Sequence, residues 1–156
     1  MENGKSQEKA VRELIIINND RHEGYNTAIK ETNETDLKEL FSKYGSQSRE
    51  FNDELRRLSF FTEGAPTRDE TKLSGKLFRI WMDIRVALTA KDRHAILASC
   101  EYGEDVAKQT YDDVLRNYQI TSASLLTVVK KQREELQKSH DVIKSLRERA
   151  KREKTM

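Results

Sequence analysis

The stretch Val11 to Ile29, VRELIIINNDRHEGYNTAI, decides the fold. Val11, Ile15, Tyr25 and Ile29 fall on one face of a helix, at the spacing a 3.6-residue turn requires. Two further steps of that stripe are polar, Asn18 and His22. A helix that sets Asn18 and His22 among isoleucines carries either a structural hydrogen-bond layer or the remains of a polar site. The rest of the chain is read for elements that could pack on this helix and answer its polar steps.

Upstream, residues 1–8 are polar and are expected to fray. The first helix is expected from about Glu8 to Lys30, roughly 35 Å at 1.5 Å per residue. Downstream, Glu31-Thr32-Asn33-Glu34 interrupts the pattern, and Thr35 or Asp36, with Glu39 following, supplies a capping signal. Leu37, Leu40, Phe41, Tyr44, Phe51, Leu55 and Leu58 mark a second helix as far as Phe61, with Ser48 on the step between Tyr44 and Phe51. The short link makes these two helices an antiparallel hairpin.

Thr62-Glu63-Gly64-Ala65-Pro66-Thr67 holds the only proline of the chain and ends helix two. A shorter helix follows at about Leu73 to Leu88, with Leu73, Leu77, Ile80, Trp81, Ile84 and Leu88 on its main apolar face. Asp92 is an N-cap candidate for a long helix to about Asn117, striped Ile96, Cys100, Glu104, Ala107, Tyr111 and Val114. Glu104 is its polar step. A turn around Gln119 to Ser122 leads into a last helix striped Leu125, Val129, Gln132, Leu136, Ser139, Ile143 and Leu146. Residues 9–149 thus make one all-α bundle, and residues 150–156 are expected to form a charged tail in solvent.

The link between the second and the fourth of these helices is far longer than a simple bundle turn and contains a helix of its own. Such a link carries the chain from one end of a bundle to the other, so the helices on either side of it run parallel. Depth along the bundle tests this threading. Measured from the shared end, Asn18, Ser48 and Glu104 each lie about 12 residues down and Ser139 about 11, within about 2 Å of one height. His22, Tyr44 and Cys100 form the adjoining level. An up-down-up-down bundle would destroy that agreement.

Several segments carry a resemblance: Ile15-Ile16-Ile17-Asn18-Asn19-Asp20 with Glu23-Gly24-Tyr25, Ser48-Arg49-Glu50-Phe51, Trp81-Met82-Asp83, Glu101-Tyr102-Gly103-Glu104-Asp105 with Tyr111, and His140-Asp141. On these residues, spanning roughly Glu8 to Arg149, the chain resembles a bacterial family of ferritin-like four-helix bundles described as a domain of unknown function. The resemblance implies a ferritin-like fold. It implies no activity.

Composition bounds the function. Charged residues make up 36% of the chain, yet 29 Lys and Arg against 27 Asp and Glu leave a formal charge of +2. A dedicated nucleic-acid binder usually shows a strong basic excess. The basic residues of the last helix, Lys144, Arg147, Arg149, Lys151, Arg152 and Lys154, suit a helix C-terminus in any case. One cysteine excludes an intrachain disulfide framework, and the start of the chain shows no signal-peptide pattern and no stretch of membrane-span length. These features set the expectation of a cytoplasmic protein without a membrane span.

A ferritin-like di-iron site needs a Glu from each of two helices and Glu-x-x-His from each of the others. The residues three before the histidines are Asn19, Lys91 and Gln137, so no Glu-x-x-His exists. The metal reading that survives is a degenerate site for a single transition metal at His22 and Glu104, with His140 at its edge. It would make the protein a metal-storage protein or an oxidoreductase. The competing reading needs no cofactor: Glu104 is held by Asn18, His22, Ser48 and Tyr111, with Ser139 on the same level, in a buried polar layer that fixes helix register. A buried carboxylate without such partners costs several kcal/mol or takes up a proton. Cys100 reads as an inert core thiol and Gly103 as a site of close helix approach. No nucleophile elbow or other catalytic constellation is present. The expectation is a non-enzymatic interaction module, stress-associated by analogy with its fold, that self-associates through Phe78, Met82 and Val86 of the crossover helix.

Overall fold

The computed structural model describes residues 2–67, 70 and 75–155, and five helices account for most of them. They are α1 (Glu2–Glu31), α2 (Thr35–Arg57), α3 (Gly75–Thr89), α4 (Arg93–Asn117) and α5 (Ala123–Thr155). Among the described residues there is no strand.

Contacts between helix ends fix the threading. Glu8 near the start of α1 accepts from Thr62 just past α2, so α1 and α2 run antiparallel. Gln7 of α1 accepts from the Thr121 and Ser122 amides at the start of α5, and Tyr118 at the end of α4 donates to Glu13 at 2.7 Å. Arg93 at the start of α4 pairs with Asp36 at the start of α2, and Lys154 at the end of α5 pairs with Asp92. Hence α2 and α4 point one way and α1 and α5 the other. This is the single-crossover threading used by ferritin-like bundles. Helix α1 packs on α2 and α4, α5 packs on α4 and α2, and α3 lies over the seam between α1 and α4.

The core forms because each helix places an apolar stripe inward. Leu14 and Ile15, Leu37, Phe41 and Leu55, Ile96 and Leu97, and Leu125, Leu136 and Ile143 are all buried. The crossover helix buries Ile80, Ile84 and Ala87. Leu73, Leu77, Phe78, Trp81 and Leu88, expected on the faces of that helix, lie outside the residues whose side chains are described.

The helix ends differ from the sequence reading in four places. Helix α1 begins at Glu2, not near Glu8, because its first turns are used: Ser6 and Gln7 take the amides of the α4–α5 turn. Helix α2 is N-capped by Glu34, which makes no side-chain capping bond, in place of Thr35 or Asp36. It ends at Arg57 short of Phe61, because the chain turns there toward Gly64, whose φ of 84° only glycine adopts freely. Leu58 and Phe60 are consequently exposed. Helix α5 continues through the expected tail to Thr155, with Ala150 buried and Lys154 clamped to Asp92 at 2.8 Å. At the start of α4 the expected cap is present, Asp92 Oδ1 accepting from the Ala95 amide at 3.1 Å.

The crossover is tied to the bundle by polar side chains that the apolar pattern did not reveal. Asn19, 2% exposed, donates to the Thr67 and Glu70 carbonyls at 3.0 and 2.8 Å. Asn52 of α2 reaches the Ile15 carbonyl and Asn19 Oδ1, and Arg56 donates to the Pro66 carbonyl.

Candidate functional site: a guanidinium in the bundle core

The polar centre of the bundle is organised by a residue the sequence reading passed over, Arg21. After Asn18 the inward stripe of α1 advances three residues to Arg21, then to Tyr25 and Ala28, all buried. The four-residue step to His22 leads to the edge of the helix. There His22 is only partly buried, with Nδ1 3.0 Å from the Gly45 carbonyl of α2.

Arg21 uses every N–H it has. Nε and one Nη2 hydrogen go to Glu104 Oε1, at 3.1 and 2.9 Å. The other Nη2 hydrogen goes to Ser139 Oγ at 3.2 Å, and Nη1 donates to the Tyr44 carbonyl and to Ser48 Oγ at 3.1 and 2.9 Å. The guanidinium carbon also lies 5.5 Å from the centres of both the Tyr25 and Tyr44 rings, inside cation–π range. Glu104 is equally well served. Oε1 takes Arg21 and the Tyr25 hydroxyl, and Oε2 faces Ser139 Oγ at 2.9 Å.

A chain of hydrogen bonds leaves Arg21 in the other direction. Ser48 donates to Asn18 Oδ1 at 2.9 Å, Asn18 to Tyr111 Oη at 2.8 Å, Tyr111 to Gln132 Oε1 at 2.7 Å, and Gln132 to the Phe51 carbonyl at 3.1 Å with Glu54 Oε1 at 3.4 Å. Each donor points away from the guanidinium and toward a carboxylate, an alignment in which successive bonds polarise one another favourably. Asn18, Ser48, Glu104, Tyr111 and Ser139 therefore belong to one network, together with Arg21, Tyr25 and Gln132.

The electrostatics follow from burial. Burial lowers the pKa of Arg21, but the Glu104 carboxylate outweighs it and the net shift is upward. Burial first, and then Glu104, push the Tyr25 hydroxyl well above its usual pKa. Cys100 is shifted up for the same two reasons, which keeps it a thiol while it stays buried in the core.

The metal candidates do not converge. None of Asn18, His22, Ser48 and Tyr111 bonds Glu104 as expected: Arg21, Tyr25 and Ser139 take its oxygens. His140 is buried between α5 and α4, with Nε2 2.9 Å from Asp105 and Nδ1 3.2 Å from Asp141, and contacts neither His22 nor Glu104. A divalent ion at Glu104 would stand against a guanidinium of like charge and compete for lone pairs already accepted, so this donor set does not suit a cation. Among the described residues no group of three His, Cys, Asp or Glu side chains is placed to hold a metal ion. Among the described residues Gly103 makes no tight helix contact, since a Cβ there would lie 3.7 Å from Ile80 Cγ2, an ordinary distance.

In the basic tail Arg147 pairs with Glu101, and Lys154 with Asp92. No described helix is long and apolar enough to cross a membrane.

No curated protein and no solved structure matches the chain. A family model does match, over residues 6–117, from the first turns of α1 to the last residue of α4. It covers Arg21, Ser48 and Glu104, while Gln132 and Ser139 on α5 lie beyond it. The chain belongs to the family described as Domain of unknown function (DUF2383).

Proposed function

We propose that the protein is a non-enzymatic, ferritin-like helical bundle that works as an interaction module and self-associates through the outer face of α3. The observation that carries this reading is the two-sidedness of α3. Ile80, Ile84 and Ala87 are buried against the bundle, whereas Met82 and Val86, one turn apart, are 43% and 66% exposed. Two large apolar side chains adjacent on one helix face make a self-complementary patch of the kind a two-fold dimer uses. The polar core supports the same conclusion from the other side, since its donors and acceptors are directed at one another and not at an open cleft. A stress-associated role is added only by analogy with other bundles of this fold.

Sedimentation velocity over a range of protein concentrations tests the proposal. Wild-type chain is expected to show a concentration-dependent dimer, and Met82→Glu with Val86→Glu to sediment as monomer with an unchanged helical spectrum. A wild-type chain that is monomeric throughout, or a double variant that still dimerises, overturns it.

A further inference from the structure

A cleft of about 30 Å³, partly open to solvent, lies beside α3 in the seam between α1 and α4. Its walls include Ile17, Ile84 and Ala107, its floor reaches Arg21 and Glu104, and Cys100 opens into it. At this level both seam helices carry a glycine, Gly24 on α1 and Gly103 on α4. These two positions therefore contribute no side chain to close the seam over the ion pair. The closure comes from α3, through Ile84 on the cleft wall and Ile80, whose Cγ2 is the neighbour that Gly103 faces. Among the described residues α3 packs on α1 and α4 and not on α2 or α5, so the four long helices retain their mutual contacts without it.

We infer that α3 is a lid that opens as a unit over the α1–α4 seam, widening the cleft beside the Arg21–Glu104 pair. Elements packed by one face on an otherwise complete core open sub-globally, at lower free energy than the whole domain unfolds. The closed lid keeps the ion pair dry, and the open lid admits water to it. This inference concerns the inner face of α3 and does not rest on self-association at the outer one.

The chain carries its own reporter. Cys100 is the single cysteine and is only 3% exposed, so a bulky thiol reagent does not reach it while α3 is docked. The full-length protein is treated with excess 5,5′-dithiobis(2-nitrobenzoate) at urea concentrations well below its unfolding transition. If the lid opens, Cys100 reacts there at a rate that rises with urea far less steeply than global unfolding does, because only the inner face of α3 is newly exposed. Ile84→Ala raises that rate by at least about ten-fold, from the buried methyl groups it removes beneath the lid. Ile143→Val, in the α5 core away from α3, lowers global stability and leaves the rate unchanged. Should Ile84→Ala fail to fold, Ile84→Val is read in the same way. The inference is overturned by absence of reaction below the unfolding transition. It is equally overturned if the rate climbs steeply from zero urea and Ile143→Val accelerates it in proportion to its effect on global unfolding.

Discussion

Arg21 and Glu104 stand 83 residues apart in sequence and meet at 2.9 Å in the centre of the bundle, their side chains 4% and 0% exposed. Burying two charges costs several kcal/mol per ion, and the loss is recovered only where geometry and further hydrogen bonds are good. Here five N–H groups and both carboxylate oxygens have partners from α1, α2, α4 and α5. The pair thus bonds at one level to groups on all four long helices.

Removing one partner leaves the other buried and unpaired. Arg21→Met and Glu104→Gln are each expected to destabilise by about 3–5 kcal/mol in urea unfolding. The double variant Arg21→Met/Glu104→Leu is expected to cost clearly less than the sum of the singles, because neither charge then remains. Strict additivity in that cycle would show that the pair does not act as a unit.

Tyr111 tests the longer arm of the network. Its hydroxyl accepts from Asn18 and donates to Gln132 while the ring is fully buried. Tyr111→Phe keeps the packing and orphans two buried groups, so a loss of about 1–3 kcal/mol is expected. A loss near zero in equilibrium denaturation would mean that the network relaxes around the deletion.

These residues also show what was legible beforehand. The crossover could be read because a link of that length has few uses in a bundle, and because Asn18, Ser48, Glu104 and Ser139 fall at one depth only if α2 and α4 run parallel. The centre could not be read in the same way. Arginine is rarely buried, and the α1 stripe can step by three or by four after Asn18, so composition favoured His22 over Arg21. The signal that would have separated them was the glutamate itself: a carboxylate on the α4 stripe with no cation opposite it calls for one, and Arg21 was the nearest on α1. Asn19 and Asn52 were hidden for another reason. Their partners are backbone carbonyls, which no side-chain pattern announces.

The end of the bundle where α2 and α4 begin gives a pH dependence whose sign follows from two carboxylates. Asp36 is held below its usual pKa chiefly by hydrogen bonds from Arg93, and Asp92 by Lys154 and then the Ala95 amide. Depressed folded-state values mean that their stabilisation is fully present above the unfolded pKa of about 3.9 and is lost as pH falls through the lower folded values. Melting temperature is therefore expected to hold from neutral pH to about 4 and to decline below it. Asp36→Asn should shrink the decline and cost under about 1 kcal/mol at neutral pH, since Asp36 is largely exposed and salt screens the pair. A decline of unchanged size in that variant would assign the acid sensitivity to other groups.

Gly103 sits in the middle of α4, where glycine costs about 1 kcal/mol relative to alanine through backbone entropy. Among the described residues the seam makes no steric demand that offsets this cost, because the one neighbour a Cβ there meets is Ile80 Cγ2, at 3.7 Å. Gly103→Ala is accordingly expected to stabilise the fold by up to about 1 kcal/mol, read as a higher urea midpoint with the same slope. The added methyl also gives α3 a further apolar contact, so the variant should slow Cys100 labelling as well. A destabilised Gly103→Ala would mean that α3 sits closer to α4 than these distances state, with Ile80 unable to yield a few tenths of an ångström.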